Sequence, residues 1–161
     1  MPSSTPTLIL FLNRCLLAEN IEVYLADFMR DRKCIEELRM RVFVREQGVP
    51  ENLEMDEREV YCQHFLACCD GVAIGTARLD LELKGKMGRL AVIKPYRRRG
   101  VGRQLVERIH QSARESGLSE IWCHAQLSAQ NFYSVLGYEA EGNIFEEAGI
   151  EHVTMRYTLV K

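Results

Sequence analysis

The stretch 89-RLAVIKPYRRRGVGRQLVERIHQSARES-116 decides the fold. Leu90, Ala91, Val92 and Ile93 form a short apolar run of strand type that ends at Pro95. Arg97 to Gly102 follows as a basic turn punctuated by glycine. Leu105, Val106, Ile109 and Ala113 then recur on one face of a helix, which the spacing predicts from about Gly102 to Glu115. His110, one residue after Ile109, falls on the solvent side of that helix. A strand, a glycine turn and a helix in this order put free backbone N–H groups and the positive end of a helix dipole at one point. That is an anion site, and phosphate is the usual anion. Gly100 and Gly102 allow close approach of a bulky ligand because neither carries a Cβ. Arg97, Arg98, Arg99 and Arg103 add positive charge around it.

Outward from this unit the chain alternates strands and helices. Ile21, Val23 and Leu25 predict a first strand over Ile21–Ala26. Asp31 is the expected cap of a helix starting near Arg32 and stopping near Gln47-Gly48, before Pro50. Glu51 to Glu59 is an acidic loop or short helix. Gln63–Cys69 and Val72–Leu83 read as two strands joined at Asp70-Gly71. Met87–Ile93 is the fourth strand and Ile121–Ala125 the fifth. Ala129–Leu136 is a short helix. Tyr138–Phe145, broken at Gly142-Asn143, and His152–Val160 close the pattern. The order implies a three-layer α/β domain with a mixed sheet of six to seven strands. No repeat or linker interrupts it.

Composition narrows the class. At 161 residues, 47% hydrophobic and 27% charged, the chain fits one globular domain. A net charge of -2 argues against nucleic acid as a partner. Six cysteines without a C-x-x-C pair argue against zinc or a disulfide framework, so no metal is expected and reduced thiols in the cytoplasm are. The apolar run Leu8–Leu12 is broken by Asn13 and Arg14, follows no basic lead and is too short to span a membrane. Residues 1–20 read as a loose extension and 21–161 as the domain.

The turn Arg97-Arg98-Arg99-Gly100-Val101-Gly102 resembles the Gln/Arg-x-x-Gly-x-Gly/Ala signature of the GCN5-related N-acetyltransferases, the GNAT superfamily. Leu38-Arg39-x-Arg41-Val42-Phe43-Val44-x-Glu46-Gln47-Gly48-Val49-Pro50 is similar to its ElaA-like and YjcF-like bacterial members. So are Glu54-x-Asp56-Glu57, His64-Phe65, Gly75-Thr76-Ala77-Arg78, His124-Ala125-Gln126 and Phe145-Glu146-Glu147-Ala148-Gly149-Ile150-x-His152. The resemblance covers about residues 21 to 159. It implies a splayed central sheet and an acetyl-CoA-dependent transfer of acetyl to a primary amine of a small molecule or peptide. It assigns the pyrophosphate to the Arg97–Arg103 loop, and the pantetheine arm and acetyl oxygen to the backbone of Leu90, Ala91 and Val92. Asn131, on the helix that carries Tyr133, is assigned to the cofactor as well. Many family members dimerise, although nothing in this sequence identifies a dimer surface.

Within Ala129-x-x-x-Tyr133-x-x-x-Gly137-Tyr138 the resemblance makes Tyr133 the acid that protonates the departing thiolate; otherwise it is a core-edge aromatic. The base is open. Family members commonly carry a glutamate on the fourth strand, but Lys86-Met87-Gly88-Arg89 holds no carboxylate. His64, His124 and His152 remain, each with a structural alternative, as does a base acting through water. The acidic run Glu51, Glu54, Asp56, Glu57, Glu59 is either a solvated loop or a negative wall favouring a cationic acceptor such as a polyamine, aminoglycoside or lysine side chain. The rival reading is a binding module that senses acyl-CoA without turning it over. A nucleotide-phosphate binder lacks its lysine and serine or threonine after Gly102.

Overall fold

Alternating apolar residues open the chain as strand β1, Ile21–Ala26. The computed structural model describes residues 19–159. Most of the expected N-terminal extension, and Cys15 with it, lies outside them. Helix α1 spans Phe28–Arg39 and is capped by Asp27, whose side chain accepts from the Met29 and Arg30 amides. The start expected near Arg32 is therefore one turn late. Asp31 lies inside the first turn and reaches back to accept from the Asp27 amide at 3.1 Å, so both aspartates hold this end. The helix runs on through Met40–Glu46 in wider turns and stops at Gln47-Gly48, as expected.

A one-turn helix α2 (Glu51–Glu54) and a tight turn at Glu57–Tyr61 lead to the sheet. Strands β2 (Cys62–Cys69), β3 (Val72–Asp80) and β4 (Lys86–Val92) form an antiparallel meander. Helix α3 (Val101–Glu115) crosses to β5 (Glu120–Gln126). Helix α4 (Gln130–Val135) precedes the hairpin of β6 (Glu139–Glu147) and β7 (Ile150–Thr158). The seven strands lie in the order β1-β2-β3-β4-β5-β7-β6, mixed as expected.

Adjacent residues on β2 show the layering. His64 stacks on Phe28 of α1, whereas Phe65 lies under Arg108 of α3. Side chains alternate along a strand, so α1 and α3 cover opposite faces. Ile35, Leu38 and Val42 fill one side, and Val101, Leu105, Val106 and Ile109 the other, all buried. At Gly75 a Cβ would sit 3.1 Å from the Ala91 carbonyl oxygen and 3.2 Å from Leu105, so glycine there lets α3 settle on the sheet.

Two irregularities in β4 shape the site. Its parallel pairing with β5 is confined to Lys86 opposite Trp122, and beyond that pair the strands part. Against β3, the register shifts between Thr76 and Arg78, so Ala77 faces both Arg89 and Leu90. Arg89 adopts φ 52, outside the strand region. The bulge takes Arg89 and Leu90 out of the β3 ladder beside the gap.

Candidate active site

The gap between β4 and β5 opens into a cleft of about 500 Å3. Residues on its two strands fix what faces it. Ile93 donates its amide to the Ile74 carbonyl at 2.9 Å, toward β3. Amide direction alternates along a strand, so Ala91, paired with Thr76, also points toward β3, while Val92 points toward the gap. Leu90 lies in the bulge beside the gap, where this alternation is broken.

At the N-terminus of α3, Gly100 takes φ 80 and no side chain caps the helix. The amides of Val101, Gly102 and Arg103 therefore have no side-chain acceptor, which leaves them for an anion. A Cβ on Gly102 would meet the Phe132 ring at 3.3 Å, so this glycine also serves the packing of α4 on α3. The arginines divide their work. Arg97 pairs with Glu46 at 2.8 Å and donates to the Val92 carbonyl, tying the end of β4 to the end of the first helical segment. Arg99 pairs with Glu19 and lies over Tyr96; Arg103 pairs with Glu107. Arg98 is exposed and makes no ion pair among the described residues. Asn131 is exposed and lies away from the cleft lining.

The two faces of β5 carry different chemistry. Ile121, Cys123 and Ala125 are buried on the α3–α4 side, and Trp122, His124 and Gln126 alternate onto the other. Tyr133 of α4 is buried on the first side and lines the cleft together with Cys123. Burial is the main reason its pKa lies well above that of an ordinary tyrosine, so its hydroxyl keeps its proton. Burial likewise pushes the Cys123 thiol up to about 12, so it is no nucleophile.

On the other face, register brings residues from three strands together. Gln126 pairs with His152 of β7, and His152 with Phe145 of β6. Trp122, His124, Phe145 and His152 follow one another as a row of rings, with neighbouring centroids 4.8 to 5.9 Å apart. Glu147 sits between the two imidazoles, 3.3 Å from Nδ1 of His124 and 3.9 Å from Nε2 of His152. Nδ1 of His152 is 2.7 Å from the Ile150 carbonyl, which fixes the proton on that nitrogen. The tight turn Ala148-Gly149, with both φ values positive, brings Glu147 back against His152. Sequence reading passed over Glu147; its signal was the Glu-Ala-Gly-Ile-x-His spacing around a tight turn.

The other two histidines lie outside the cleft lining. His64 is buried away from the cleft, with Nε2 on the Glu59 carbonyl at 2.8 Å. His110 was expected to face solvent and is instead buried, stacked on Tyr157 and bonded to the Tyr138 hydroxyl at 2.7 Å. Tyr138 comes from beyond the helix and covers that face.

The acidic run is not a negative wall. Arg39, 1% exposed, donates to Glu54 at 2.7 Å and to both oxygens of Glu59. Arg78 binds Asp56 and Glu59 at 2.6 to 2.8 Å. Arg89 adds longer contacts, 3.1 to 3.5 Å, to Asp56 and the Leu53 and Glu54 carbonyls. Of the five acids, only Glu51 and Glu57 are exposed without an arginine partner among the described residues. The scattered motifs of the sequence thus meet in space as pairs: Arg39 with Glu54, Arg78 with Asp56, Gln47 with Gln126 at 2.8 Å, and His124 with Glu147.

A family model described as "Acetyltransferase (GNAT) domain" matches residues 26–159. The chain belongs to the GNAT acetyltransferase family. A candidate acetyltransferase of Bacillus subtilis is 39% identical over 123 residues, covering 74% of this chain and 84% of the relative. YjcF of the same organism, an uncharacterized N-acetyltransferase, is 33% identical over 120 residues, 73% of this chain and 86% of YjcF. The crystal structure of Escherichia coli ElaA shares the fold at a TM-score of 0.75 and 24% identity, over 85% of this chain and 98% of ElaA. The protein is therefore a GNAT N-acetyltransferase, of a family that draws its acyl group from acyl-CoA. Among the described residues no helix is long and apolar enough to cross a membrane.

Proposed function

We propose that the protein moves acetyl directly from acetyl-CoA to a primary amine, with His124 as base and Tyr133 as acid. The observation that carries this reading is their placement on opposite faces of β5 beside the open β4–β5 gap. The residues present suit the donor: a gap without cross-strand bonds accepts an extended arm, and an uncapped helix N-terminus with Arg98 beside it accepts phosphate. The Val92 amide holds the thioester oxygen as negative charge grows on it; one such donor is worth roughly 2.7–4 kcal/mol in comparable sites. Glu147 accepts from Nδ1–H of His124 and so leaves the Nε2 lone pair toward the cleft. Nε2 takes the amine proton as the C–N bond forms and the C–S bond breaks. Tyr133, kept protonated by burial, gives its proton to the leaving sulfur.

The test is free-thiol release from acetyl-CoA over an amine panel, with Tyr133→Phe beside the wild type. The acid role predicts a kcat lower by roughly 10²–10⁴-fold with the KM for acetyl-CoA little changed. Full kcat in the variant would remove Tyr133 from the mechanism.

A further inference from the structure

We infer that the acceptor amine carries its own anionic group, a carboxylate or phosphate, which Lys86 and Nη1 of Arg89 hold. This rests on the acetyl-transfer reading and names the acceptor's chemical class. The argument begins with charges that already have partners. Glu54, Asp56 and Glu59 face Arg39, Arg78 and Arg89, and Arg58 is bound by Asp80 and Glu82 at 2.8 to 2.9 Å. None of these has charge left for a polycation.

Two cationic side chains in the cleft keep something to offer: Lys86 has no ion pair among the described residues, and Arg89, already paired with Glu54 and Asp56, keeps one nitrogen free. Lys86 lines it, with its ammonium 5.2 Å from the centre of the Trp122 ring and no carboxylate within 4.0 Å among the described residues. Arg89 lines it too and is 27% exposed. Its Nε and Nη2 are used, but Nη1 has no hydrogen bond among the described residues and is not among the buried unsatisfied atoms. It therefore opens to solvent in the cleft. The bulge at Arg89 turns this side chain out of the strand pattern, beside the backbone expected to hold the thioester.

Along the ring row Glu147, about half exposed, contacts the two imidazoles. Lys86 and His124 flank the same indole: Trp122 stands 5.4 Å from the His124 ring, centre to centre. An amine beside His124 and an anion at Lys86 are thus one side chain apart, within reach of one small molecule, and Arg89 lines the same cleft. The cleft volume, shared with the acetyl end of the donor, suits that size. A diamine or aminoglycoside would instead bring a second cation against Lys86 and Arg89, a like-charge contact in a partly desolvated site.

The test compares matched amines differing in the anion: 5-aminopentanoate with pentylamine and with 1,5-diaminopentane, and glucosamine 6-phosphate with glucosamine. Thiol release gives kcat/KM for each, in the wild type, Lys86→Gln and Arg89→Lys. The expected preference for at least one anion-bearing member is about tenfold or more, set by one charge-assisted contact and carried in KM. Lys86→Gln, at a half-exposed position with no ion pair to break, should cut that ratio severalfold. Which pair shows the preference separates carboxylate from phosphate. Equal ratios, a diamine preference, or an unchanged ratio in Lys86→Gln would overturn the inference. Calorimetric titration of the same compounds into coenzyme A-loaded protein separates it from its parent. Anion-dependent binding lost in Lys86→Gln without turnover sustains the anion site and sinks acetyl transfer, while no binding of any anion-bearing member sinks the anion site.

Discussion

Two polar clusters line one cleft and are built on opposite plans. In the Arg39–Glu54–Glu59–Arg78–Asp56 cluster the bonds are 2.6 to 2.8 Å, and its central members Arg39, Glu54 and Glu59 are almost wholly buried. In the His124–Glu147–His152 cluster the contacts are 3.3 and 3.9 Å, and one ring nitrogen of each histidine has no hydrogen-bond partner among the described residues. The first has almost nothing left to offer a substrate; the second keeps lone pairs free. Burial explains the contrast. A charge removed from water must be matched by short bonds, so a deep cluster ends up saturated. Where a cluster opens to water, as at His124 and Glu147, it tolerates long contacts because water covers the remainder, and that leaves a lone pair free for a proton transfer.

Breaking the saturated cluster should produce the largest effect. Arg39→Met leaves Glu54 and Glu59 buried without their main partner, and burial already raises the pKa of Glu54 despite Arg39. The expected loss is about 3–5 kcal/mol of unfolding free energy, read from urea midpoints. Replacing Arg39, Glu54 and Glu59 together by apolar residues should recover much of it. A single variant as stable as the wild type would mean the cluster is not structural.

A histidine that is buried and hydrogen-bonded gives folding its own pH dependence. Folding lowers the His110 pKa from 6.5 to about 4, chiefly through burial and then through Arg114. As pH falls below 6.5 the unfolded chain takes up this proton first. Stability is therefore intact above pH 6.5 and declines between 6.5 and 4, by on the order of 3 kcal/mol in total. His110→Gln should flatten that segment of a stability–pH curve. The Asp56 pKa, lowered to about 2 by Arg78 against the opposing effect of burial, gives a separate window. Its contribution is present above about pH 4 and lost toward pH 2.

The same contrast accounts for what could be read from the sequence. Features fixed by neighbours in the chain were legible: β1, the Asp70-Gly71 turn, the helix stop at Gln47-Gly48 and the alternation that sends Cys123 and His124 to opposite faces. Features fixed by a distant partner were not. His110 follows Ile109 and so looked exposed, but its cover is a tyrosine 28 residues on. Asp27 and Asp31 are four apart and each bonds at the helix start, so chemistry alone could not rank them. The acidic run looked free because the arginines that neutralise it come from α1, β3 and β4. Glu147 looked like any turn carboxylate until β5 supplied His124.

The loose cluster gives the next smaller effects. His124→Gln should lower kcat about 10²-fold while lowering the unfolding free energy by roughly 1 kcal/mol at most, since a partly exposed ring with one 3.3 Å polar contact and two edge-on ring neighbours adds little to folding. A kcat loss accompanied by a stability loss of the Arg39→Met size would move His124 into the saturated class.

The smallest effect is expected at Glu147, and it sharpens the comparison most. Its carboxylate is 49% exposed, so water screens its pull on the imidazole and the pair contributes little stability. What it can still do is hold Nδ1–H and so keep Nε2 unprotonated toward the cleft. Glu147→Gln keeps the size and an acceptor oxygen but loses the charge that steadies the imidazolium. The expected outcome is a kcat lower by about tenfold, an unchanged KM for acetyl-CoA, and partial recovery in Glu147→Asp. If Glu147→Gln and Glu147→Asp both match the wild type, the carboxylate only decorates the hairpin, and His124 would act, if at all, without a partner to orient it.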